Sequence, residues 1–322
     1  MRILLWHVHG SWTTAFVQGR HQYLIPTLPG RGPDGRGRAR TWDWPASAVE
    51  VTPGEVREAE VDLVVVQRPH ELEVLARHWL GGRRPGVDVP CVYVEHNAPQ
   101  GRINEMRHPA ADRPELTIVH VTHFNDLFWD AGATPTRVVE HGVVDPGYLY
   151  TGELSRAAVA INEARRRARV TGTDLLERLS AYAPLDVFGM DAEAIGGVEN
   201  PPQRALHREM ARRRAYLHPI RWTSLGLSLL EAMHLGMPVV ALATTEVVEA
   251  VPPEAGTIST DVDRVGAALA ELIEDPARAR DKGRAARAAA LERYGLGRFL
   301  SDWDDVLAEI AGAETGFREV AV

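Results

Sequence analysis

Short apolar runs recur along this chain, separated by segments of helix length, and that alternation leaves few architectures open. The runs at residues 61–66, 90–94, 116–122 and Val239–Leu242 are the clearest; residues 2–8, 136–139, 215–217 and Leu185–Gly189 have the same character. Most are apolar nearly throughout, as a strand covered on both faces must be. Residues 71–79, 204–213 and Leu227–Leu235 carry helical spacing, and residues 262–273, 276–292 and 299–310 read as three further amphipathic helices. Strand and helix in alternation predict doubly wound α/β sheets. A chain of 322 residues suits two such domains, at roughly 150 residues each.

A turn-rich stretch from Asp145-Pro146-Gly147 to Thr151-Gly152 places the expected division near residue 150. Residues 26–45 are dense in Pro, Gly and Arg, with Arg31, Arg36, Arg38, Arg40, Trp42 and Trp44, and read as a long surface loop of the kind that often carries function. Lys and Arg number 36 against 44 Asp and Glu, a net charge of −8, which argues against bulk binding to nucleic acid. One cysteine, Cys91, leaves no internal disulfide framework and suits a reducing compartment. No apolar run approaches the ~18 residues of a membrane span, and the opening run is too short for a signal-peptide core. The expectation is a cytoplasmic protein with no transmembrane segment.

Residues 222–240, WTSLGLSLLEAMHLGMPVV, hold the most chemical information. They read as a small-residue loop, a glycine at a helix start, and a helix closed by Gly-x-Pro before a buried strand. A helix N-terminus exposes amides and the positive end of the dipole, so it suits a phosphate. Thr223, Ser224 and the amides of Leu225, Gly226 and Leu227 fall at that end. Glu231, one turn inside, is badly placed for a phosphate and well placed to accept from sugar or ribose hydroxyls. Spacing alone equally allows a capped strand–helix–strand unit with a solvated Glu231.

The same segment resembles the retaining family-4 glycosyltransferases of the GT-B fold, whose second domain carries two Glu eight positions apart in a setting such as EGFGLPVLEAMACGTPVV. The match runs through Gly226, Leu227, Leu230-Glu231-Ala232-Met233, Gly236, Pro238, Val239 and Val240. More weakly, residues 140–145 are similar to the family's PNGVD, Gly172 with Asp174-Leu175-Leu176 to its RLxxxKGxDLL, and residues 294–303 to its final segment. The resemblance implies two Rossmann-like domains facing a cleft. Residues 1–150 would bind the acceptor, residues 151–298 the nucleotide sugar, and a helix at 299–312 would cross back to the first domain, leaving a loose tail at 313–322. It implies sugar transfer from a nucleotide-diphosphate donor to an acceptor hydroxyl, with retention, no cofactor and no metal.

Arg166 fits the position of the family's diphosphate-binding Arg, with Arg165 and Arg167 as near alternatives, and Gly189 joins the donor-binding set. Two departures stand out. Thr223 replaces the first motif Glu and Thr171 the family Lys, so the donor-sugar contacts are altered. In the first domain Gly10 and Ser11 follow the first strand, and His96 follows the Cys91 strand where the family often has a cleft histidine. His120, His123 and His141 lie at comparable strand ends, and His120 and His141 with Trp42 and Trp44 supply the acceptor-side candidates. Two other readings compete. His7-Val8-His9 has the spacing of a metal pair in barrel-type hydrolases, and Thr171 with Thr223 would also suit a catalytically silent nucleotide-sugar binder. A dinucleotide oxidoreductase is disfavoured, since no G-x-G-x-x-G follows the first strand.

Overall fold

The computed structural model describes residues 1–315, and the chain divides into two compact units. Unit 1 comprises Met1–Gly142 with the segment from Leu296 onward, and unit 2 is Val143–Gly295. The turn-rich stretch at 145–152 belongs wholly to unit 2: Asp145 pairs with Arg287 at 2.7 Å, and Tyr150, buried, donates its hydroxyl to the carbonyl of Arg214. Turn residues there mark a packed connection rather than a free linker.

Unit 1 is built on seven strands, β1 (Arg2–Leu5), β2 (Gln22–Pro26), β3 (Ala48–Val51), β4 (Leu63–Val66), β5 (Cys91–Glu95), β6 (Thr117–His120) and β7 (Thr136–Val138). All pair in parallel, in the order β3-β2-β1-β4-β5-β6-β7. Unit 2 has six, β8 (Leu154–Ala160), β9 (Leu185–Gly189), β10 (Val198–Glu199), β11 (Arg213–His218), β12 (Val239–Leu242) and β13 (Gly256–Ser259), likewise parallel in the order β10-β9-β8-β11-β12-β13. In each sheet the winding reverses once, at β1/β4 and at β8/β11. Ligands of such sheets bind outside the carboxyl ends of the strands at that reversal.

Parallel strands must bury both faces, and these do. In β12, Val239 and Ala241 pack into one core and Val240 and Leu242 into the other; in β11, Tyr216 points to the first and Ala215 and Leu217 to the second. The two cores are closed by the helices Leu227–Leu235 and Pro276–Tyr294 on one face and Val262–Glu274 on the other.

The last helix, Leu296–Thr315, packs in unit 1. Its Trp303 meets Trp12 edge to face at 5.7 Å and Phe16 at 5.0 Å. It begins three residues before the expected start, and residues 313–315, assigned in sequence to a loose tail, continue it. Residues 316–322 lie outside the described residues. No helix among the described residues is long and apolar enough to cross a membrane.

Candidate active site

In unit 2 the loop after β8 and the loop after β11 are tied together at the winding reversal. Arg221 donates its backbone N–H to the carbonyl of Val170 at 2.8 Å and its guanidinium to the carbonyl of Arg169 and to Asp174. Gly172 has φ +71, and a Cβ there would lie 1.9 Å from the carbonyl oxygen of Pro219, so only glycine allows this approach. Thr171, in the place of the resembled family's Lys, is fully buried. Its hydroxyl donates to the carbonyl of Ala168 and lies 2.9 Å from the hydroxyl of Thr173. It therefore braces the loop. Gly189 ends β9 with φ +143 and backs directly onto the carbonyl of Ile161. Its role is close packing of two backbones.

The three arginines of this loop differ. Arg166 is two-thirds exposed and spends its guanidinium on the Glu163 carboxylate at 2.7 Å. Arg165 is exposed. Arg167 is half-buried, has no ion-pair partner among the described residues, and its pKa is lowered by burial and by neighbouring Arg166. Glu163 and Ala168, which bracket the arginines, both have positive φ, an uncommon conformation for side-chain-bearing residues that costs roughly 1–3 kcal/mol each.

The helix Leu227–Leu235 starts at Gly226, which supplies no side-chain cap, and ends at Gly236 with φ +87. Beneath its start lies His218, the last residue of β11, fully buried with Nε2 unpartnered. A Cβ on Gly226 would stand 2.5 Å from Cε1 of His218. The Tyr216 hydroxyl donates to Ser228 Oγ at 2.9 Å and lies 3.4 Å from His218 Nδ1, linking strand and first helical turn. Thr223 is half-buried and Ser224 buried in the loop just before. Glu231 is not solvated: it is 4% exposed, its Oε2 accepts from Gln203 Nε2 at 2.8 Å, and His207 Nε2 lies 3.2 Å from the same oxygen. Gln203 and His207, from the helix Gln203–Arg212, were absent from the sequence-based set, as were His218 and Ser228. A glutamine four residues before a histidine was the available signal.

In unit 1, His9, His96 and His141 come together from the ends of β1, β5 and β7. The rings of His9 and His96 are 4.0 Å apart, those of His96 and His141 6.5 Å, and Trp12 meets His96 edge to face at 5.1 Å. Burial lowers all three pKa values, to about 4 for His9 and about 3 for His141, so the cluster is neutral. His96 Nε2 lies 3.0 Å from Gln67 Oε1, and Gln67 Nε2 donates to the Trp6 carbonyl. The Gln67 backbone N–H is held by the buried Glu71 at 2.6 Å, in the π-helical turn Glu71–Leu75 that replaces the first turn of the predicted helix.

His120 does not join the cluster. It is fully buried, with neither ring nitrogen hydrogen-bonded, and faces Asp126 at 3.7 Å and His108. His123 starts a short helix at the surface. Trp44 also leaves the acceptor-side set: it is buried, its Nε1 donates to Thr14 Oγ1 at 2.8 Å, and it stacks obliquely on His7. Trp42 stays half-exposed, its Nε1 3.7 Å from where a Gly10 Cβ would sit, while Ser11 is half-buried beside it. His7 directs Nδ1 to the Gly37 carbonyl at 3.0 Å. No group of three or more His, Cys, Asp or Glu among the described residues has the arrangement of a metal site, so the His7/His9 hydrolase reading gains no ligand set.

Residues 154–275 match the family model described as Glycosyl transferases group 1. No curated protein sequence registers as a relative. Sucrose-phosphate synthase (tll1590) from Thermosynechococcus elongatus has a similar structure, with 13% identity over 97% of this chain and 99% of its own, at a TM-score of 0.73. Anabaena Alr3699/HepE, solved in complex with UDP-glucose, is 15% identical over 96% of this chain and 100% of its own, at 0.69. A glycosyltransferase from Rickettsia africae ESF-5 is 12% identical over 96% and 98%, at 0.59. The chain therefore has the GT-B fold, and residues 154–275 of its second unit are similar to the group 1 glycosyl transferases.

Proposed function

We propose that this protein transfers a sugar from a nucleotide-diphosphate donor, held by unit 2, to an acceptor hydroxyl held by unit 1, with retention of anomeric configuration and without a metal. The match of residues 154–275 to the group 1 glycosyl transferases carries the reading. It is supported by the position of the Gly226 helix start at the β8/β11 reversal, and by Anabaena HepE, of the same fold, having been solved with UDP-glucose.

Transfer requires that negative charge developing on the leaving diphosphate be stabilised. The uncapped first-turn amides of the Leu227–Leu235 helix and a cation of the loop after β8 supply that without any ion. Glu231, its Oε2 fixed by Gln203, would receive hydroxyls of the ribose or sugar. His96, neutral and steadied by Gln67, would donate or accept a hydrogen bond at the reacting sugar without adding charge to the site. Thr223 in place of a carboxylate makes the donor-sugar contact a neutral one.

Thermal unfolding with UDP, GDP, ADP and dTDP, each with and without EDTA, tests the reading. A nucleotide at 100 times its dissociation constant stabilises by about 2.7 kcal/mol, a shift of several degrees in one unit. One nucleotide is expected to raise the transition equally in both conditions. Absence of any nucleotide effect, or an effect abolished by EDTA, overturns the donor site or its metal independence respectively. Proton NMR of the product's anomeric centre then reads retention directly.

A further inference from the structure

Gln67 follows β4, the strand that lies between β1 and β5 in the sheet of unit 1, and its side chain reaches past both neighbours. Its Nε2 donates to the carbonyl of Trp6, just beyond β1, at 2.8 Å, and its Oε1 lies 3.0 Å from Nε2 of His96, just beyond β5. Only one orientation of the amide satisfies both contacts. A carbonyl oxygen can only accept, so the end of Gln67 facing Trp6 must be its NH2 and the end facing His96 its oxygen. His96 Nε2 therefore carries a hydrogen. Burial, with His9 and His141 close by, holds the pKa of His96 well below 6.5, so the ring has a single proton and that proton is on Nε2.

The amide is fixed from behind as well. The Gln67 backbone N–H donates to Oε2 of Glu71 at 2.6 Å, Arg68 donates to Oε1 of the same carboxylate at 2.7 Å, and both Gln67 and Glu71 are buried. The His96 ring is set in turn by His9 at 4.0 Å and by the edge-to-face Trp12 at 5.1 Å.

We propose that Gln67 is a positioning residue for glycosyl transfer: it fixes His96 as the Nε2–H tautomer, so that the ring meets the sugar as a hydrogen-bond acceptor through Nδ1 and not as a donor. The glycosyl-transfer reading supplies only the identity of the ligand; the tautomer rests on the geometry of unit 1 alone. An acceptor set in a buried site demands a hydroxyl hydrogen opposite it, and discriminates against a sugar that carries an ether or a fluorine there.

Long-range 1H–15N correlation of the full chain at pH 7, with ring-15N histidine and no ligand, reads the tautomer, and His96→Asn identifies the His96 signals among those of the 13 histidines. In the parent, Nδ1 is expected to show the far-downfield shift of an unprotonated ring nitrogen and Nε2 that of an N–H. Gln67→Leu, which cannot accept, is expected to draw the two nitrogens toward a common shift as both tautomers populate. It should also lower nucleotide-sugar turnover by about tenfold or more, read as transfer or hydrolysis with UDP-, GDP-, ADP- and dTDP-glucose as probes. Gln67→Glu, which keeps an oxygen facing Nε2, is expected to keep the proton there. A proton on Nδ1, or on both nitrogens, in the parent overturns the inference without any variant. So does a loss of turnover in Gln67→Leu with the tautomer unchanged, or a changed tautomer with turnover intact. A parent that turns over none of the probes counts against glycosyl transfer and leaves the tautomer to be decided by the spectrum.

Discussion

Gln203 donates from Nε2 to Oε2 of Glu231 at 2.8 Å, joining two helices of unit 2 through a carboxylate that is almost fully buried. Glu231→Ala removes the acceptor of Gln203 Nε2, and an unsatisfied buried donor costs about 1–3 kcal/mol. Urea denaturation is expected to show a loss of that size, and nucleotide-sugar turnover to fall more than tenfold. Glu231→Gln keeps the shape and recovers part of the stability. If turnover and nucleotide affinity are unchanged in both variants, Glu231 serves helix packing alone.

Arg166 and Arg167 are adjacent in sequence and differ in what they have free to offer. An exposed guanidinium already on Glu163 must break that pair to reach a phosphate, whereas half-buried Arg167 has none to break. Arg167→Ala is expected to weaken nucleoside-diphosphate binding by about ten- to a hundredfold, the worth of a charge-assisted hydrogen bond. Arg166→Ala should change it less than threefold. Fluorescence titration with the nucleotide found in the unfolding experiment reads both, and the opposite ranking would return the diphosphate to Arg166.

Much of this was legible in the sequence, and the parts that were not have physical reasons. The unbroken apolar runs of β4, β5 and β12 and the Gly-x-Pro stop after Leu235 announce buried strands and a helix end directly. β8 escaped notice because its run, LSRAAVA, uses alanines where wider gaps would demand Val or Ile, and carries Arg156, which is satisfied by Asp186 at 2.7 Å. β2 and β13 are short and end in Pro or Ser. At the site, the motif located Gly226 and Glu231, but burial decides what they do. A carboxylate one turn into a helix reads as solvated until the Gln203 helix is seen to cover it, and Trp44 reads as a sugar platform until Thr14 is seen to hold it.

Stability should fall on acidification, and unit 1 should fail first. His96, His120 and His141 are buried and His9 is half-buried, all with pKa values below 6.5, at about 4 for His9 and His120 and about 3 for His141; in unit 2 the buried histidine lowered as far is His218, also about 4. Between pH 6.5 and 4 the unfolded chain binds protons that the folded chain refuses, so each such group removes about 1.4 kcal/mol per pH unit. Seven of the eight tryptophans belong to unit 1, so tryptophan fluorescence follows that unit. The urea midpoint read this way should drop steeply between pH 7 and 5. A midpoint that stays constant over that range would mean the histidines are hydrated and free to protonate.

Trp44→Phe tests whether the 27–47 segment is pinned from beneath. It keeps an aromatic ring against His7 and deletes the bond to Thr14 together with part of the buried indole, for an expected loss of about 1–3 kcal/mol. Limited proteolysis should then cut within residues 27–47 faster than in the parent. An unchanged cutting rate would show that Arg31, paired with Glu50, and Arg38, bonded to the Trp44 carbonyl, suffice to hold the segment.

The start of the Leu227–Leu235 helix depends on the clearance between Gly226 and His218. Alanine at 226 places a methyl 2.5 Å from a buried imidazole carbon, closer than side chains approach, and the neighbouring Tyr216–Ser228 bond leaves the strand little freedom to give way. Overpacking of this kind costs about 1–3 kcal/mol, and the helix start must move to relieve it. Gly226→Ala is therefore expected to lose both stability and nucleotide binding. Combining it with His218→Ala opens the space the methyl needs, so the double variant should recover part of both relative to the sum of the single changes. Strict additivity would separate the two residues energetically, and the nucleotide-binding helix start would then be set by its own loop, Thr223 to Leu225, rather than by the strand beneath it.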